Sequence, residues 1–204
     1  METNTKKSQL PTLEGLNRYK IVLGSNSPRR RELLAGLDID FEVRTISGID
    51  ESYPATLDAK DIPVYLARKK AEAYLATMPD DELLITADTI VWTFNEVLGK
   101  PESREEAIEM LKTLSGREHE VITGVCLTAK EKAVSFAAVS TVRFARLEEE
   151  EIVYYVDKYR PFDKAGSYGI QEWIGYVAVE SIQGSFYNVM GLPVRLLYQE
   201  LKQF

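Results

Sequence analysis

The stretch "YKIVLGSNSPRRRELL" constrains this chain more than any other. Tyr19 to Ser25 is short, apolar and stopped by Gly24 and Ser25, which reads as a buried strand. Ser27 can cap a helix, and Pro28 suits the first position of one. Leu33, Leu34 and Leu37 then fall on one helical side, with Gly36 near the end. A buried strand that turns directly into a capped helix is one strand-to-helix step of an α/β arrangement.

The rest of the sequence repeats that alternation. "FEVRTI" alternates like a second strand, and a helix is predicted from about Pro63 to Met78. "ELLITAD" reads as a strand reaching Asp88, with "TIVWTF" continuing it or beginning its partner. "SREEAIEMLKTLSG" carries a capping box of Ser103 with Glu106 and a glycine stop at Gly116. "HEVITGVCLTA" and "AVSFAAVSTVRFARL" form a strand pair joined at "KEK". "EEEEIVYYVDKY" is helical, with its acids at the favourable end. "GYVAVESI" reads as a late strand and "LPVRLLYQELKQF" as a closing helix. Hairpins together with crossover helices predict a mixed twisted sheet with flanking helices. Residues 1–18 read as a polar N-terminal tail and residues 19–204 as one domain.

Composition removes whole classes of function. The 204 residues carry 25 Lys+Arg against 32 Asp+Glu, a net charge of −7 that repels nucleic acid in general. No apolar run reaches the roughly 18 residues of a membrane span. "METNTKKSQL" has no signal-peptide core, so a cytoplasmic location is expected. The single cysteine, Cys126, allows no intramolecular disulfide, which fits a reducing compartment, and reads as a buried small hydrophobe. No P-loop and no G-x-G-x-x-G fingerprint occurs. His119 is the one histidine, so a His-pair metal site is excluded, and it reads as a structural residue at a strand start.

A constellation of cations and carboxylates survives. "SNSPRRR" puts backbone N–H groups and arginines at a strand-to-helix turn, where phosphate is attracted. Arg31 reads as a solvated residue, because three successive helical residues point about 100° apart and cannot all face one ligand. Asp88 is expected at the end of a buried strand, where α/β sheets hold their sites, although Asp also commonly serves as a turn or helix-capping residue. Lys100 precedes a proline in a loop. "DKAGSYGIQ" gathers Asp163, Lys164 and Gln171 into a tight segment.

In this order the motifs resemble the Maf family of nucleoside triphosphate pyrophosphatases. The resemblance runs from Lys20 onward through "LGSNSPRR", "DES" (Asp50 to Ser52), "ARKKA" (Ala67 to Ala71), "ADTIV", "LGKP", "LSGREHEVITGV", "DKAGSYGIQ" and "GSFYNVMGLP". Gly24 stands where alanine is commoner, and Glu172 where glycine is commoner. The resemblance implies a Maf/inosine-triphosphatase-like fold with two lobes around a cleft, and a homodimer. It implies hydrolysis of a nucleoside triphosphate to monophosphate and pyrophosphate with a divalent cation, Mg²⁺ or Mn²⁺.

Carried over by position, Asp88 is the implied proton acceptor. Arg29, Thr89 and Gln171 are tied to substrate choice, and Ser25, Arg30, Glu51, Lys70 and Lys100 complete the site. Glu51 and Asp88 are the carboxylates available to a hard cation. "YGIQ" and "ADT" look like the branch acting on dTTP and UTP, and the Gln171 amide complements a uracil or thymine edge. Two alternatives stay open at this point: a pyrophosphatase for 7-methyl-GTP or another non-standard nucleotide, and a non-catalytic nucleotide-binding regulator of septum formation.

Overall fold

Strand β3 organises the molecule. The computed structural model describes residues 11–204. Within it β1 (Lys20–Leu23), α1 (Pro28–Ala35) and β2 (Glu42–Val43) precede α2 (Asp61–Leu75) and β3 (Glu82–Thr93). After them come β4 (Glu96–Leu98), α3 (Arg104–Leu114), the hairpin β5 (Glu118–Ala129) and β6 (Lys132–Phe144), and α4 (Glu149–Tyr159). The chain closes with α5 (Trp173–Ala178), β7 (Val179–Gln183), α6 (Phe186–Met190) and α7 (Val194–Leu201). The seven strands form one mixed sheet in the order β2-β1-β3-β5-β6-β7, with β4 also on β3. β1 runs parallel to both β2 and β3, and the remaining pairings are antiparallel.

The register leaves a gap that matters for function. β5 pairs with Leu84 through Trp92 along one edge of β3. β1 takes the other edge only as far as Ile85, and β4 takes it again from Val91. The edge from Thr86 to Ile90 therefore has no strand beside it. Strands diverging in this way open a crevice at the carboxyl end of a parallel pair.

Period-2 alternation sorts the side chains of β3 between two layers. Ile90 packs in a cluster with Ile62 and Leu66 of α2, and Thr86 donates to the Ala67 carbonyl at 2.7 Å. Ala87 and Val91 join the main core on the opposite face. Helix α2 comes unusually close to the sheet because residue 124 is glycine. A Cβ there would lie 2.3 Å from the Pro63 carbonyl carbon. Gly124 is the cross-strand partner of Asp88, so this approach sets the depth of α2 over Asp88.

Several expectations need correction. Pro11–Arg18 is a 3₁₀ segment that buries Leu13 and Leu16 in the core, so the polar tail does not extend to residue 18; its first ten residues lie outside the described residues. Only Glu42 and Val43 of "FEVRTI" are strand, because β1 offers Val22 and Leu23 alone as partners. Gly175 to Ala178 are helical, and the late strand begins at Val179. Helical winding there buries Ile174 and Ala178 together. At α3 the Ser103 hydroxyl accepts the Glu106 N–H at 3.1 Å, but the Glu106 carboxylate accepts from Glu102 N–H, one residue ahead of the cap. A reciprocal box instead opens α4, between Glu148 and Glu151.

Other expectations hold. Ser27 caps α1 with Pro28 behind it, and Arg31 is exposed. Cys126 and His119 are both buried. At Gly24 an added Cβ would sit 2.9 Å from Thr86 Cγ2 and 3.2 Å from the Tyr74 hydroxyl, so alanine would be tight in this chain.

Candidate functional site

The open edge of β3 faces a cleft of about 410 Å³. Ser25, Arg29, Arg30, Glu51, Lys70, Asp88, Thr89, Lys100 and Gln171 all line it. The residues singled out in the sequence thus converge from six separate segments.

Two consecutive lysines of α2 hold the "DES" loop. Lys69 Nζ donates to Asp50 Oδ2 at 2.8 Å and to the Ser52 carbonyl at 3.0 Å. That bond, with two from Ser52, holds the Asp50 carboxyl well below its usual range. Lys70 points into the cleft, 2.5 Å from Asp88 Oδ1 and 2.9 Å from Glu51 Oε1. Partial burial pushes the Glu51 carboxyl upward. The Lys70 hydrogen bond and the charges of Lys70, Lys100 and Arg30 outweigh it, so the group stays below its ordinary value.

Arg30 lies on the other side of β3 and is committed to the protein. Its Nε donates to the Gly191 carbonyl and one terminal nitrogen to the Ala87 carbonyl, each at 2.8 Å. The same nitrogen reaches Ser25 Oγ at 3.4 Å, and the second donates to Thr89 Oγ1 at 3.0 Å. Arg30 thereby satisfies the Ala87 carbonyl at the unpaired edge and ties β3 to α1 and to the turn after α6. Gly191 has φ +111, a left-handed conformation that suits glycine. Thr89 continues the network through Thr123 Oγ1 at 2.9 Å. Asn188, fully buried, holds Val121 O and Ser140 Oγ at 3.0 Å each and locks α6 to the sheet.

The residue pattern singled out Asp163, Lys164 and Gln171, but not the pairing of Asp163 with Arg29. Arg29 donates to Asp163 Oδ2 at 2.8 Å, and Asp163 Oδ1 accepts from Lys164 at 2.7 Å. Lys164 is buried and reaches Glu172 Oε1 at 3.1 Å. Asp163 is pulled upward by burial, but Lys164 and Arg29 win and hold it below the ordinary carboxylate value. The Gly166 N–H bonds to the Gly99 carbonyl at 3.0 Å, which docks the loop of Lys100 on this segment. Gln171 lines the cleft, and its buried Oε1 has no hydrogen-bond partner among the described residues. The adjacent "DK" of "DKAGSYGIQ" was the available signal, since opposite charges in a glycine-containing loop ask for a reason.

The donor set suits a hard divalent ion. Among the described residues no cluster of three or more His, Cys, Asp or Glu forms. Glu51 and Asp88 instead converge on one ammonium. Two carboxylates are a small all-oxygen donor set, which a hard divalent ion that retains waters can accept without an all-protein cage.

A dTTP/UTP pyrophosphatase of Parabacteroides distasonis is 69% identical over 192 residues, 94% of this chain and 100% of that protein. One from Bacteroides fragilis is 62% identical, covering 94% of this chain and 99% of its own length. A solved HAM1 protein from Coxiella burnetii is 15% identical, with a TM-score of 0.47, over 91% of this chain and 100% of that one. The model of the family described as "Maf-like protein" matches residues 20–204, and with relatives of this identity the chain belongs to that family.

Proposed function

We propose that this protein hydrolyses dTTP and UTP to the nucleoside monophosphate and pyrophosphate. The observation that carries the reading is the Lys70 ammonium shared by Asp88 and Glu51, in a cleft that also holds Arg29, Lys100 and Gln171. Relatives at 60–69% identity bear the name dTTP/UTP pyrophosphatase, which does not favour the 7-methyl-GTP and regulatory alternatives.

The chemistry rests on the residues. Water adds to the α phosphorus, the bond from that phosphorus to the bridging oxygen breaks, and pyrophosphate leaves. Asp88 accepts the proton of the attacking water. Lys70 fixes the orientation of its carboxylate beforehand. When a triphosphate enters, its charge competes with Asp163 for Arg29 and with the carboxylates for Lys70. These cations, with Lys100, neutralise charge that grows on the leaving group, the largest source of rate in phosphoryl chemistry. Arg30 adds positive potential while holding the open edge in shape.

Glu51 and Asp88 would hold the divalent ion, Mg²⁺ or Mn²⁺. When bound, such an ion supplies charge neutralisation at the phosphates and acidifies coordinated water. Gln171 reads the base: its amide can both donate and accept, matching the two carbonyls and one N–H of uracil or thymine. Cytosine exchanges an acceptor for a donor and leaves a buried group unpaired.

A panel of nucleoside triphosphates with pyrophosphate detection tests the reading, run with and without EDTA. Preferred turnover of dTTP and UTP, abolished by chelator and restored by Mg²⁺, is expected. Release of orthophosphate and nucleoside diphosphate would reject the proposed bond cleavage, and full activity in EDTA would reject the ion. A homodimer in the cytoplasm belongs to the same reading. Sedimentation tests the assembly, and cell fractionation the location. No helix among the described residues is long and apolar enough to cross a membrane.

A further inference from the structure

Gln171 sits in a four-residue turn whose two ends are held by a single hydroxyl. The turn runs from Gly169 to Glu172 and is closed by the Glu172 N–H on the Gly169 carbonyl at 2.9 Å. Tyr155 of α4, fully buried, accepts the Gly169 N–H at 3.0 Å on its phenol oxygen. The same hydroxyl donates to Glu172 Oε2. The second oxygen of Glu172 pairs with buried Lys164. The fit is close: a Cβ on Gly169 would lie 2.9 Å from both Glu172 Cδ and Lys164 Cε. Neither Tyr155 nor Glu172 lines the cleft, whereas Lys164, Gly169 and Gln171 do.

From this we infer that Tyr155 and Glu172 form a staple that sets base discrimination by fixing the turn that carries Gln171. Both are positioning residues and touch no substrate atom. Glu172 also balances charge. Arg29 and Lys164 face Asp163 and Glu172, two cations against two carboxylates. Without Glu172, Lys164 would lean on Asp163 alone and compete there with Arg29. The staple thus joins α4, the turn and the N-terminal end of α1. A base-reading amide discriminates only while its direction is fixed, since a swinging amide satisfies the wrong edge as readily as the right one.

The inference rests on the proposed activity, and its test separates the two. Tyr155→Phe, Glu172→Ala and their double variant are compared with wild type on dTTP, UTP and dCTP. The expected result is a loss of about tenfold in the dTTP-over-dCTP ratio of kcat/KM, comparable in size to the net worth of one hydrogen bond. It should arise in KM, with kcat on saturating dTTP kept within about threefold. The double variant should resemble the worse single one, because both break one device. Amide exchange at Gly169, Ile170 and Gln171 should quicken in every variant. An unchanged ratio in folded variants overturns the inference. If the wild type turns over none of these nucleotides, the proposed activity fails and exchange alone decides: protection retained in the variants rejects the staple. Should Tyr155→Phe misfold, Glu172→Ala, whose side chain is only partly buried, carries the comparison.

Discussion

Lys70 Nζ lies 2.5 Å from Asp88 Oδ1, at the stretch of β3 where β5 covers one edge and no strand covers the other. The contact depends on Gly124, which lets α2 settle onto the sheet directly opposite Asp88. It gives the carboxylate a fixed direction and brings a cation to the place where phosphate charge would arrive.

Asp88→Asn should lower turnover by about 10²–10⁴-fold, the usual worth of a general base, while the fold persists. Lys70 retains Glu51 as partner, so no ammonium is left alone in the cleft. Pyrophosphate release and the thermal midpoint check this together. Rates near wild type would remove Asp88 from the role of proton acceptor.

Arg30→Lys should destabilise the protein although it keeps the charge. Lysine cannot reproduce the fork that reaches Ala87 O, Gly191 O and Thr89 Oγ1 together. Lysine can meet one of these three, and leaving the other two unmet costs about 1–3 kcal/mol each, so a loss of roughly 2–6 kcal/mol is expected. Denaturant titration measures it, and an unmoved midpoint would mean that Arg30 is no tether.

Gln171→Ala should separate stability from selectivity. Its Oε1 is buried with no partner among the described residues, so truncation removes an unmet acceptor and leaves stability equal or slightly higher. Preference for dTTP and UTP over dCTP should nonetheless fall. A nucleotide panel with a melting curve reads both, and an intact preference would show that another group selects the base.

His119 makes stability depend on pH. Burial lowers it from 6.5 to about 4, and Nε2 lies 2.7 Å from the Tyr168 hydroxyl. Between these two values the unfolded chain holds the proton and the folded one does not. Stability is therefore complete above about pH 6.5 and is lost as pH falls toward 4, by about 3 kcal/mol from this group. Denaturation of wild type and His119→Gln at pH 7 and 4.5 tests it. An equal decline in both proteins would assign the loss to the carboxylates instead.

Much of this molecule was legible in residue order. Ser27 and Pro28 start α1, Ser103 starts α3, and a hairpin joins β5 to β6, because capping and alternation are local properties. The nine positions that the family resemblance implied as site residues all line one cleft. Tertiary structure alone decided how they are used. It committed Arg30 to a backbone tether, divided Lys69 and Lys70 between Asp50 and Glu51, and left one edge of β3 open from Thr86 to Ile90. It turned Glu172 inward onto Tyr155 and Lys164, a pairing between groups 17 and 8 positions apart along the chain. Periodicity reports which face of an element is apolar. Which buried polar group meets which partner depends on where distant elements pack, and no local pattern encodes that.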